Sequence, residues 1–158
     1  MHVATPTPAQ AEAGNYRKGH TRWNGLDFTI ETPKGGTRTA VDGSWKVENL
    51  PTHYGYIRGT EGADGEQVDM HLGDEPDSPM VWVIDQVDHK TKKFDEHKVM
   101  AGFKKRTDAL DAYHRSFSDG KGKERVGGIT PMPVPHFVRW VQKGITDRPL
   151  VKPWEKES

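Results

Sequence analysis

Apolar and polar positions alternate through Leu26-Asp27-Phe28-Thr29-Ile30, and the run stops at Pro33-Lys34-Gly35-Gly36. A period of two turns alternate side chains to one face, which predicts a half-buried strand. Thr37–Val41 reads as a second short strand ending at Asp42-Gly43, and Tyr54–Ile57 and Val68–Leu72 as two more around a Gly-rich loop. Met80-Val81-Trp82-Val83-Ile84 is apolar throughout, the pattern of a strand covered on both faces, and Val87–Met100 predicts a hairpin around Lys90-Thr91-Lys92. The period then changes. Leu110, Tyr113 and Phe117 recur at helical spacing, with Thr107 or Asp108 as N-cap and Asp119-Gly120-Lys121-Gly122 as the stop. After a short segment at Val126–Thr130, a second helix is expected from Pro135 to about Lys143, with Phe137, Trp140 and Val141 on one face and Gly144 ending it. Strands first and helices afterwards predict a mainly β, α+β chain: a small barrel carrying two helices on one side.

Composition narrows the chemistry. The chain of 158 residues has no cysteine, which removes disulfides and thiolate zinc sites and leaves oxygen or imidazole ligands for any metal. Lys plus Arg and Asp plus Glu are 23 each, so there is no net basic charge for sequence-independent nucleic-acid binding. A small anion held by a few cations stays open. No apolar run approaches the ~20 residues of a membrane span. Residues 1–13 lack a basic n-region and an apolar h-region, so they read as a flexible leader to a cytoplasmic protein. Residues 14–146 form one expected domain, and the charged, proline-containing 147–158 a loosely attached tail.

The informative stretch lies between the third and fourth strands. Asp64, Glu66 and Asp69 fall at i, i+2 and i+5 on a Gly-containing turn that runs into a strand. Alternate extended positions point the same way, so these carboxylates can converge. Hard oxygen ligands gathered in this way suit magnesium, which takes a few carboxylates plus waters and substrate phosphates. A solvated acidic turn gives the same local pattern. The spacing does not follow the EF-hand.

Tyr54-Gly55-Tyr56-Ile57, six residues and Asp64-Gly65-Glu66-Gln67-Val68-Asp69 resemble the signature of family I soluble inorganic pyrophosphatases. The wider chain is similar to a pyrophosphatase-like domain of phage and mobile-element proteins, through Tyr16–His20, Ile30–Gly35, His53–Gly65, Val83–Gln86 and Phe94–Met100. The resemblance covers roughly residues 15 to 141 and implies an OB-like five-stranded β-barrel with two helices packed on it. It implies two or more Mg2+ ions, with Mn2+ as a substitute, and a small phosphoanhydride substrate. No nucleic acid and no membrane are implied as partners. A homo-oligomer, or attachment to a larger phage protein, stays open.

Residue by residue, the resemblance makes Asp64 and Asp69 metal ligands and puts Glu66 where the family has an aspartate that helps deprotonate the attacking water. Gln67 stands in place of a rigid proline, and Asp88 with Asp95 or Glu96 would complete the metal set. Glu31, Lys34 or Arg38, Tyr54, Lys98, Tyr113 and Arg115 match substrate-side positions, with Lys46 a weaker candidate for the family's arginine. His114 replaces a lysine beside Tyr113. His97 has no second histidine at ligand spacing, so zinc has no support. Three readings follow: a magnesium-dependent hydrolase of inorganic pyrophosphate, a non-catalytic binding or virion-associated module on the same fold, and a hydrolase of a nucleotide or other diphosphate. The third needs extra room and an aromatic wall beside the phosphate site, with Trp23 and Trp45 as candidates, although core packing is the first expectation for both.

Overall fold

The computed structural model describes residues 19–151. The leader 1–13 and residues 152–158 of the tail lie outside them. Among the described residues, nine strands and two α-helices follow one another: β1 (Gly19–Trp23), β2 (Leu26–Thr32), β3 (Arg38–Thr39), β4 (Lys46–Val47), β5 (His53–Ile57), β6 (Asp69–Leu72), β7 (Met80–Val87), β8 (Phe94–Ala101), α1 (Arg106–His114), β9 (Val126–Pro133) and α2 (Val134–Lys143). A 3-10 turn at Gly122–Arg125 leads into β9.

Seven strands form one sheet in the order β1-β2-β5-β6-β8-β7-β9, and β3-β4 is a separate ribbon. All pairs in the large sheet are antiparallel except β6 with β8. The mainly β character with two helices is as expected. The five-stranded barrel is not found: β1 and β9 lengthen the ladder and form its two ends, so the described sheet is open and mixed. β1 escaped the hydrophobic pattern, although Asn24-Gly25, with φ of 49° and 81°, supplies the two left-handed positions of a type I′ hairpin.

Strand alternation separates two faces. Val81 and Val83 of β7 join Phe28, Ile30, Met70, Val99 and the α2 side chains Phe137, Trp140 and Val141 in the larger core. Trp82 and Ile84, one residue out of phase, pack with Met100 and with Ala109, Ala112 and Tyr113 of α1. The helices therefore cover opposite faces of β7, not one side as the order of elements suggested. That arrangement explains why Met80–Ile84 is apolar without interruption. Away from α1, the second face is free to carry polar groups.

Local details correct the expected boundaries. Helix α1 is capped by Lys105 without a side-chain bond, so Thr107 and Asp108 lie inside its first turn. It stops at His114, where the Ser116 hydroxyl donates to the Ala112 carbonyl and Ser116 N–H to Tyr113 in a tighter turn. Phe117 is thus past the helix, although its ring still meets Tyr113 at 5.0 Å. In the segment after α2, the Leu150 and Val151 N–H groups donate to the buried Asp85 carboxylate. No helix among the described residues is long and apolar enough to cross a membrane.

The glycine of the Tyr54-Gly55-Tyr56 motif has a steric cause: a Cβ there would run into the Thr29 carbonyl of the neighbouring strand. Gly55→Ala is expected to destabilise the fold by about 1–3 kcal/mol, as overpacking does. Urea unfolding should show a lower midpoint at unchanged slope.

Candidate active site

The parallel β6–β8 pair sets Asp69 directly opposite Lys98. Lys98 Nζ donates to Asp69 Oδ2 at 2.6 Å, Glu96 Oε1 at 2.7 Å and the Tyr54 hydroxyl at 2.8 Å. The Tyr54 hydroxyl in turn donates to Asp69 Oδ2 at 3.0 Å. The side chains of Lys98, Asp69 and Glu96 are only 12%, 25% and 16% exposed, so these contacts are little diluted by solvent. Burial opposes charge on Lys98, but Tyr54, Asp69 and Glu96 outweigh it and hold the ammonium above its ordinary value. Burial likewise works against the Asp69 carboxylate, yet Lys98 and the hydrogen bonds around it keep Asp69 below its usual range. Glu96 goes the other way. Burial, aided by hydrogen bonds shared with Asp64 and Asp69, pushes it up to about 7 against the pull of Lys98.

The loop from β5 to β6 delivers the remaining acids. Gly59 and Gly65 take left-handed φ of 77° and 81°, and the Asp64 side chain accepts the Glu66 N–H at 2.9 Å. Thr60 donates to the Ile57 carbonyl and accepts from Val68 N–H. Gln67, which replaces the rigid proline, accepts the Gly59 N–H at 2.8 Å and closes the loop through its side chain. Glu31, Asp64, Glu66 and Asp69 line one cleft of about 350 Å³. Glu31 reaches it as the extra residue of a bulge, since Ile30 pairs Gly55 and Thr32 pairs Tyr54. Asp64, Asp69 and Glu96 also border a smaller crevice.

Next to these acids lies a cavity of about 500 Å³ bordered by Arg38, Tyr54, Lys98, Tyr113 and Arg125. Arg38, carried by the β3–β4 ribbon, lies 4.2 Å from the centre of the Tyr54 ring. Burial raises both tyrosine hydroxyls above their ordinary pKa, so they remain protonated donors. Tyr113 donates to Gln86 at 2.6 Å, and Gln86 donates to Asp95 at 3.0 Å. His71, buried against Tyr54, is pushed down to about 3 by burial and by Lys98 and Arg38, so it is neutral near pH 7.

Several expected residues lie elsewhere. Asp88 accepts the Lys90 and Thr91 N–H groups and caps the hairpin turn. Asp95 is occupied with Gln86, so of the two hairpin acids it is Glu96 that meets Asp64 and Asp69. Lys34 pairs with Asp74, Lys46 with Glu48 and Arg115 with Asp111, none of them bordering the cationic cavity. Arg125 was missed. It comes from the 3-10 turn and is held by both oxygens of Asp119 at 3.0 and 2.8 Å. His97 is buried beside Asp85, and Trp23 is in the core with its indole N–H on the Pro76 carbonyl.

A family model described as Inorganic Pyrophosphatase matches residues 8–142. The chain belongs to the inorganic pyrophosphatase family. No curated protein matches it. Pyrophosphatase chemistry calls for magnesium, and the donor set can be tested against that ion. Among the described residues no three acids or histidines form a ready-made metal cage. Magnesium does not require one, because it is commonly bound by one or two carboxylates, with waters and substrate phosphates filling the remaining positions. Asp64, Asp69 and Glu96 are hard oxygen donors already within hydrogen-bonding reach through Glu96, and they fit the ion.

Because Glu96 is raised above its ordinary value of 4.5 to about 7, the metal-free native state holds more protons than the unfolded chain between those values. Its contribution to stability is full below pH ~4.5 and is lost as pH rises through ~7. Urea unfolding of metal-free protein across this window should show that decline, and Glu96→Gln should flatten it. An identical slope in the variant would contradict the assignment.

Proposed function

We propose that this pyrophosphatase-family chain is a magnesium-dependent hydrolase of a phosphoanhydride, with inorganic pyrophosphate as the leading substrate and Mn2+ able to replace Mg2+. The observation that carries this reading is the position of Lys98. It joins an acidic cleft to a cationic cavity, so metal-holding and phosphate-holding groups share one hydrogen-bonded cluster.

Asp64, Asp69 and Glu96 would hold the metal. When bound, magnesium supplies charge that polarises phosphate oxygens and acidifies coordinated water. Glu66, in the cleft with Asp64 and Asp69, accepts the water proton. The water oxygen forms a bond to one phosphorus, the bridging P–O bond breaks, and its electron pair leaves with the second phosphate. Arg38, Lys98 and Arg125 offset the charge spread over the phosphate oxygens, while Tyr54 and Tyr113 hold Asp69 and Gln86 in place through their hydroxyl protons. No covalent nucleophile is needed.

Phosphate release from pyrophosphate should require magnesium and fall at least about a hundredfold in Asp69→Asn. That variant retains an oxygen acceptor for Tyr54 and Lys98 and should remain folded. Well-folded protein that turns over neither pyrophosphate nor other diphosphates would instead be a binding module on a pyrophosphatase fold.

A further inference from the structure

The cationic cavity is larger and more apolar than pyrophosphate alone calls for. Its volume of about 500 Å³ lies in the range that encloses a drug-sized organic molecule. Pyrophosphate has no apolar surface, yet Trp45, Val47 and Phe117 border the cavity along with Arg38, Lys98 and Arg125. Trp45 is 38% exposed, one of three large apolar side chains left in solvent among the described residues. Burial would favour such a ring inside the core, so its place on the wall of a charged cavity needs a reason.

Trp45, Tyr54 and Phe117 each have an arginine of the cavity over the ring. The Arg38 guanidinium lies 5.2 Å from the Trp45 ring centre and 4.2 Å from that of Tyr54. Arg125 lies 4.5 Å from the Phe117 ring centre and is fixed by Asp119. A cation that can meet a phosphate therefore lies over an aromatic ring at two places. The β3–β4 ribbon presents Trp45 and Arg38 together, closed by the Ala40 N–H to Trp45 carbonyl bond at 3.0 Å. A charged diphosphate attached to a flat, stackable ring matches this pairing, because stacking needs only a π-face.

We propose that this site takes a nucleoside diphosphate, with the diphosphate at Lys98, Arg38 and Arg125 and the base against Trp45 and Phe117. The proposal rests on the phosphoanhydride reading above. In the reaction, water oxygen bonds the terminal phosphorus and its proton goes to Glu66. The bond from that phosphorus to the bridging oxygen breaks. The oxygen keeps the electron pair as part of the nucleoside monophosphate, and inorganic phosphate is the other product.

The experiment compares ADP, GDP and UDP with methyl diphosphate and pyrophosphate on the magnesium-loaded full chain, by phosphate release and by equilibrium binding. Nucleoside diphosphates should bind about 5- to 150-fold more tightly than methyl diphosphate, the span expected of one stacked base. Trp45→Ala should lower the kcat/KM ratio of nucleoside diphosphate over pyrophosphate about tenfold, and Trp45→Tyr, which keeps a ring, should restore most of it. Phe117→Leu should lower the ratio in the same direction. Equal binding of methyl and nucleoside diphosphates, or an unchanged ratio in Trp45→Ala, would overturn the proposal and leave pyrophosphate hydrolysis standing. Ring-dependent binding without turnover of any diphosphate would instead overturn the hydrolase reading and retain the pocket for the base.

Discussion

A nearly buried ammonium can exist only where its partners are already in place. Desolvating Lys98 costs free energy that is recovered only when Asp69, Glu96 and Tyr54 meet it at hydrogen-bond distance. The condition reaches into the fold. Asp69 must be the parallel partner of Lys98, and a one-residue slip of β6 would turn it to the α2 face and bring Met70 out of the core. The register of the central strands thus satisfies a hydrophobic face and an ionic cluster together.

The same alternation explains how one thin sheet carries both a core and a candidate site. Phe28, Ile30, Met70, Val81, Val83 and Val99 pack toward α2. Tyr54, His71, Gln86 and Lys98 border the cavity on the other face, where α1 contributes Tyr113. Two carboxylates leave strict alternation. Glu31 and Asp95 are each the extra residue of a β-bulge, a device that re-aims a side chain without abandoning the ladder. Glu31 thereby joins the acidic cleft, and Asp95 joins the chain of hydrogen bonds through Gln86 to Tyr113.

What could be read from sequence follows from where information is local. Tyr54, Asp69, Glu96 and Lys98 sit on strands of period two, so their shared face follows once the strands are recognised. Asp64 and Glu66 share one cleft, as their motif spacing suggested, and the β3–β4 ribbon brings Arg38 rather than Lys34 to the cavity by long-range packing that no local pattern encodes. Arg115 follows Tyr113, which borders the cavity, by two residues, but α1 ends at His114 and leaves Arg115 with Asp111. Its place in the cavity is taken by Arg125, which lies on a short turn after a Gly-rich stretch and carries no periodic signal. Asp88 was misleading because an aspartate after a strand suits both a ligand and a turn cap, and the turn uses it. The edge strand β1 had a local marker in Asn24-Gly25 that hydrophobic alternation alone does not weigh.

Binding of magnesium to metal-free protein, measured by calorimetric titration, tests the central cluster most directly. The account predicts saturable binding that is lost or greatly weakened in Asp69→Asn and in Glu96→Gln, and retained in Asp88→Asn, whose side chain caps the hairpin turn. Binding that survives both of the first two substitutions, or that vanishes with the third, would contradict it.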